Sequence, residues 1–179
     1  MPRKPRTSAP TETDAERAAR EEDGLVRKLI TNWFVKVKAI YRGRMAKEKR
    51  GMESAKFRAA REQILKIRDP LAVPALSGVL STGHPEVRKV MVESLAQYDN
   101  DEATMNLAVV TLLDPSPEVR GLAAKELARR NDERVVEHLR QALGSEEEDI
   151  LRNAATSLGV LKARSAIEDL ILVLTTERV

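Results

Sequence analysis

Apolar side chains recur along this chain at three- and four-residue spacings, and the same spacings return about every 31 or 32 residues. Val73, Leu76 and Leu80 mark one apolar stripe; Val87, Met91 and Leu95 mark the next. That period is the signature of a helix with one buried face. Lined up, the stripes form columns: Val73/Met105/Val136/Ile167, Leu76/Ala108/Leu139/Leu170 and Leu80/Leu112/Leu143/Leu174 for a first helix. Val87/Val119/Ile150, Met91/Ala123/Ala154 and Leu95/Leu127/Leu158 follow for a second. A single helix of this length cannot bury its stripe alone, so the predicted fold is all-α, a solenoid of stacked helical hairpins sharing one continuous core.

Polar punctuation agrees with this reading. Ser81 to Pro85 and Asp114 to Pro117 separate the two helices of a unit, where proline ends one helix or opens the next. Asp69, Asp101 and Asp132 mark the turn between units and are expected to cap the helices that follow. Backwards, Ala60 and Ile64 precede Met91 and Leu95 by 31 residues, which makes the helix predicted at about Met52 to Ile67 part of a degenerate first repeat. Forwards, Ile167, Leu170 and Leu174 continue the first-helix columns with no second helix after them. The apolar residues left over from Ala166 to Leu174 predict an unsealed edge: either the chain is a fragment of a longer protein, or this helix pairs with a partner or a second copy.

Three stretches repeat almost verbatim: Pro85-Glu86-Val87-Arg88, Pro117-Glu118-Val119-Arg120 and the looser Asp149-Ile150-Leu151-Arg152. Val-Arg followed at helical spacing by a small residue and a leucine resembles the HEAT repeat family, in the short form also seen in bilin lyase subunits. The resemblance covers about residues 55 to 174 and implies a protein-protein interaction scaffold, or, on repeat resemblance alone, an accessory lyase subunit. It also implies that Arg88 and Arg120 pair with carboxylates between adjacent repeats. In the third unit Leu151 takes the arginine position and Arg152 comes one residue late, about 100° around the helix, so Arg152 is expected to leave the row.

The net charge of +3 hides an asymmetry. Residues 1 to 24 carry 5 basic and 6 acidic side chains, residues 25 to 68 carry 14 and 3, and residues 69 to 179 carry 12 and 19. The chain therefore divides into a flexible polar arm at 1–22, a basic helical segment at 23–68 and the repeats at 69–179, the last of them incomplete. In the basic segment Val26, Ile30, Trp33, Val37 and Ile40 form a stripe with Leu29, Phe34 and Tyr41 beside it. Two roles stand open for it. It is a cap over the first repeat, or a surface that binds RNA or DNA through Arg27, Lys28, Lys36, Lys38, Arg42, Arg44, Lys47, Lys49 and Arg50. A basic amphipathic helix also suits an anionic membrane surface or a groove in another protein.

Chemistry finds no foothold. There is no cysteine, which removes disulfides, thiolate chemistry and cysteine zinc sites together. His84 and His138 belong to no metal-binding spacing, and no glycine-rich phosphate cradle is present. No catalytic residue, metal or cofactor is expected. No apolar run reaches the ~20 residues that span a bilayer, and residues 1 to 24 lack the core of a secretory signal, so the cytoplasm is the expected location. Partner contacts are expected on the second helices, at Arg88, Lys89, Arg120, Arg152 and Asn153.

Overall fold

A computed structural model describes residues 55–80 and 84–175, together with positions 13, 17, 21, 24, 25, 27, 28, 31, 32 and 35. Its helices are α1 (Ala55–Leu65), α2 (Val73–Leu80), α3 (Pro85–Leu95), α4 (Asp101–Leu113), α5 (Pro117–Ala128), α6 (Glu133–Ala142), α7 (Glu148–Leu161) and α8 (Ile167–Thr175), and no strand occurs among the described residues. Short 3₁₀ turns at Pro70–Ala72 and Arg164–Ala166 lead into α2 and α8. The hairpins are α2 with α3, α4 with α5 and α6 with α7. They stack so that α1, α3, α5 and α7 pack in succession in one layer, and α2, α4 and α6 in the other. Leu170 and Val173 of α8 close on the same core.

Two of the three second-helix columns are buried as the periodicity predicts: Ala60, Ile64, Met91, Leu95, Ala123, Leu127, Ala154 and Leu158 are all at or near zero exposure, while in the third Val87 and Val119 are buried and Ile150 only partly so. The outermost first-helix column needs a correction. Val73 is buried, but Met105 and Val136 are only partly so, and Ile167 is exposed. The positions buried in every unit lie one residue earlier, at Ala72, Thr104, Val135 and Ala166. Three of these four are small, which suits the closest approach of neighbouring helices, while larger side chains flank the contact.

Caps fix where the helices begin. Asp69 Oδ1 accepts from the Leu71 amide (3.0 Å) and Asp132 Oδ1 from the Arg134 amide (2.9 Å). In the middle unit Asn100, not Asp101, is the cap, accepting from the Ala103 amide at 2.8 Å. Asp101 is freed to pair with Arg134 of the next unit, 2.8 Å away. At the other end of α7 the amide of Ala163 donates to Leu158 O and that of Lys162 to Gly159 O, with Lys162 in the left-handed region at φ 53°. This closes the helix as glycine commonly does, using a lysine.

Side chains of one repeat also satisfy the helix ends of the repeat before it. Tyr98 Oη donates to Ile67 O (3.0 Å), just beyond α1. Arg130 Nη2 donates to Leu95 O (3.1 Å) and Tyr98 O (2.9 Å), at the end of α3, and Nη1 donates to Thr104 Oγ1. The open carbonyls of a helix terminus would otherwise be left unpaired in a partly buried site. Burial lowers the Arg130 pKa and raises that of Tyr98. The guanidinium, whose ordinary pKa is above 12, stays charged.

Candidate protein-docking surface

The predicted arginine row does not form one surface. Arg88, on α3, is buried at 7% exposure, and its guanidinium forks onto Asp114: Nε to Oδ2 at 2.8 Å and Nη2 to Oδ1 at 2.9 Å. That contact raises the Arg88 pKa further. Asp114 follows α4 in the next unit, so the pair bolts two repeats together, and Oδ1 also accepts from the Ser116 amide at 2.8 Å to shape the turn into α5. Arg88 is thus part of the floor and not an open partner contact, because its guanidinium is buried and held in a fork by Asp114. Its partner is a carboxylate in the turn between the two helices of the next unit, Asp114.

The remaining predicted contacts lie nearer the surface. Arg120 donates to the Asp114 carbonyl (2.8 Å), Asn153 Nδ2 reaches Leu112 O (2.7 Å), and Lys89 pairs with Glu86 (2.7 Å). Arg152 is exposed and within its own helix donates to Asp149 (2.9 Å) and forms a looser ion pair with Glu148 (3.6 Å), off the row as the one-residue shift predicts. A cleft of about 500 Å³ brings Arg120, Arg152 and Asn153 together with Glu147, Asp149 and Ile150. Lys89 is not among its lining residues. Arg27 and Lys28 are helical and exposed in the basic segment. The other predicted phosphate contacts, Lys36, Lys38, Arg42, Arg44, Lys47, Lys49 and Arg50, lie outside the described residues, as do the aromatic side chains of Trp33, Phe34 and Tyr41.

On the other side of the Asp114 turn the surface is apolar. A second cleft of about 350 Å³, lined by Leu80, Val109, Val110 and Leu113 with Ser77 and Asn106, has Arg88 and Asp114 in its wall. Val109 and Leu113 are exposed, Leu113 at 59%. The two clefts share Leu113, Asp114 and Pro115. Sequence reading missed this half. The run from Asp101 to Leu113 is apolar on most sides because α4 packs against α2, α5, α6 and α7, and a helix apolar all round does not announce which side chains stay outside. Asp114, by contrast, was visible in an Asp-Pro turn.

Among the described residues no three His, Cys, Asp or Glu side chains converge to hold a metal. The carboxylates whose pKa values fall do so through structural contacts: hydrogen bonds from Arg134 lower Asp101 and Asp132, one from Arg140 lowers Asp169, and one from Ser116 lowers Glu118. No helix among the described residues is long and apolar enough to cross a membrane.

No curated protein matches the sequence. A family model described as HEAT repeats matches residues 107–179, from within α4 through α8 and beyond. The 31- and 32-residue register carries the same buried columns back through α3 to Ala60 and Ile64 of α1, so the helices before the matched span share the two-layer arrangement of the part that is similar to HEAT repeats.

Proposed function

We propose that this chain is a non-enzymatic protein-interaction scaffold that seats a segment of another protein across the Asp114–Ser116 turn. The observation that carries the reading is the meeting there of an apolar cleft at Val109 and Leu113 with a charged cleft at Arg120, Arg152 and Asn153. Apolar anchoring beside polar groups is the ordinary make-up of a protein interface. The buried Arg88–Asp114 pair holds the floor between them, so little ordering is needed on binding. HEAT repeats generally serve as interaction scaffolds, which supports the same class. Affinity capture from the source cells, with Leu113→Glu and Arg120→Glu beside the unaltered chain, tests it. A partner held by the unaltered chain and by Lys125→Glu, an exposed control, should be lost by both surface variants. Retention of every captured protein by Leu113→Glu would mean that this surface is not the seat.

A second reading rests on the 14 basic against 3 acidic residues between Leu25 and Arg68: RNA or DNA binding through the basic segment. Affinity for a single-stranded oligonucleotide should then fall steeply from low to physiological salt as counterions are released. Reversing Lys36, Lys38, Arg42 and Arg44 to Glu should abolish it with the helical dichroism unchanged. No binding at low salt ends this reading.

A further inference from the structure

Between α7 and α8 lies a groove of about 520 Å³, lined by Leu151, Ala155, Leu170, Val173 and Leu174 with Glu148 and Arg152 at its edge. Its place in the repeat register defines the shape that fits it. One unit earlier, 31 residues back, the positions matching Ala155, Leu170 and Leu174 are Ala124, Leu139 and Leu143. All three are at most 3% exposed, where α7 packs over α5 and α6. In the last unit Ala155 and Leu170 are partly open and Leu174 is 85% exposed. Ile171 and Leu172 are exposed as well, and no residue of α8 is buried. The groove is therefore the seat of one helix, which would lie on α7 and α8 as α7 lies on α5 and α6.

Charge narrows the choice of helix. Residues 145 to 175 carry six acidic side chains, Glu146 to Asp149 with Glu168 and Asp169, against the three basic Arg152, Lys162 and Arg164. A second copy of the same edge would bring like charge to like. The segment from Leu25 to Arg42 has the opposite character: an apolar stripe at Val26, Ile30, Trp33, Val37 and Ile40, flanked by Arg27, Lys28, Lys36, Lys38 and Arg42 with no acidic residue between them. Its described positions, 25, 27, 28, 31, 32 and 35, are helical, and all of them are exposed.

We propose that residues 25–42 of one copy dock in the α7–α8 groove of a second copy, head to tail. Such a contact is heterologous and does not close on itself, so association should continue past the dimer as concentration rises. Sedimentation velocity of the full chain tests this with Leu174→Glu, which charges an exposed wall of the groove, and Val37→Glu, which charges the stripe. Each variant alone should sediment as a monomer with unchanged helical dichroism. An equimolar mixture should form a heterodimer and stop there, because one intact segment and one intact groove remain. Raising salt to about 1 M should weaken the wild-type association, since the Debye length shrinks to about 3 Å. Three results would each overturn the proposal: a monomeric wild type at every concentration, as a seat filled within one chain would give; association that survives Val37→Glu, as edge-to-edge pairing would give; or a mixture that stays monomeric.

Discussion

Truncating Arg88 to alanine leaves the Asp114 carboxylate, whose side chain is 4% exposed in the intact pair, with its charge uncompensated, though it keeps the Ser116 amide. Removing one partner of a buried pair typically costs about 3 to 5 kcal/mol, and because this pair forms the wall of an open cleft the low end, about 3 kcal/mol, is expected. Arg152→Ala, which breaks only exposed contacts within one helix, should cost less than about 0.5 kcal/mol. Urea midpoints of the two variants decide the matter, and equal losses would show that Arg88 is not a bolt between repeats. In sequence the two arginines look like rungs of one ladder. What separates them is the missing residue in the third unit, which puts Leu151 at the arginine position, and the presence of Asp114 across the boundary. The first was legible in the register. The second needed the fold, because 26 residues separate Arg88 from Asp114.

Each second helix contributes two fully buried residues to a column that continues into its neighbours. Leu95→Ala and Leu127→Ala should each cost about 2 to 5 kcal/mol by lost transfer energy and the cavity left behind. Unchanged denaturation midpoints would refute this register. The turns between units respond to acid instead. Arg134 holds both Asp101 and Asp132 below the ordinary aspartate value of about 4. A depressed folded-state pKa contributes stability above the unfolded value and loses it as the pH falls through the folded one, so the midpoint should drop on acidification below about pH 4. Arg134→Gln should flatten that limb, and an acid limb of unaltered slope would exclude these turns as its source. Helix existence, hairpin pairing and the buried second-helix face were readable because a 3.6-residue period survives translation along the chain. Finer placement was not. Asn100 and Asp101 are adjacent residues with similar capping chemistry, and only the reach of Arg134 from the next unit makes one a cap and the other an ion-pair partner. The exposed face of α4 was hidden for a related reason: the helix touches neighbours on several sides, so its apolar pattern carries no gap to mark Val109 and Leu113.

Contacts in this solenoid run from each unit to the next, so stability is a sum of local interfaces and need not be lost all at once. α4 and α5 have neighbours on both sides, whereas α8 has no buried residue and meets the core through Leu170 and Val173, with the half-buried Arg140–Asp169 ion pair as a polar tie. Hydrogen exchange followed by mass spectrometry should therefore find the amides of α8 opening first, α6 and α7 later, and α4 and α5 last. Uniform protection through α8 in a dilute monomer would contradict this gradient. The same measurement at high concentration adds a second reading of the α7–α8 groove. If that edge is a seat for the basic segment of another copy, protection of α8 should rise with concentration in the wild type and stay low in Leu174→Glu. The openness of α8 and its exposed apolar face then have one physical origin: a helix packed over Leu174 would both bury that face and slow the opening of α8.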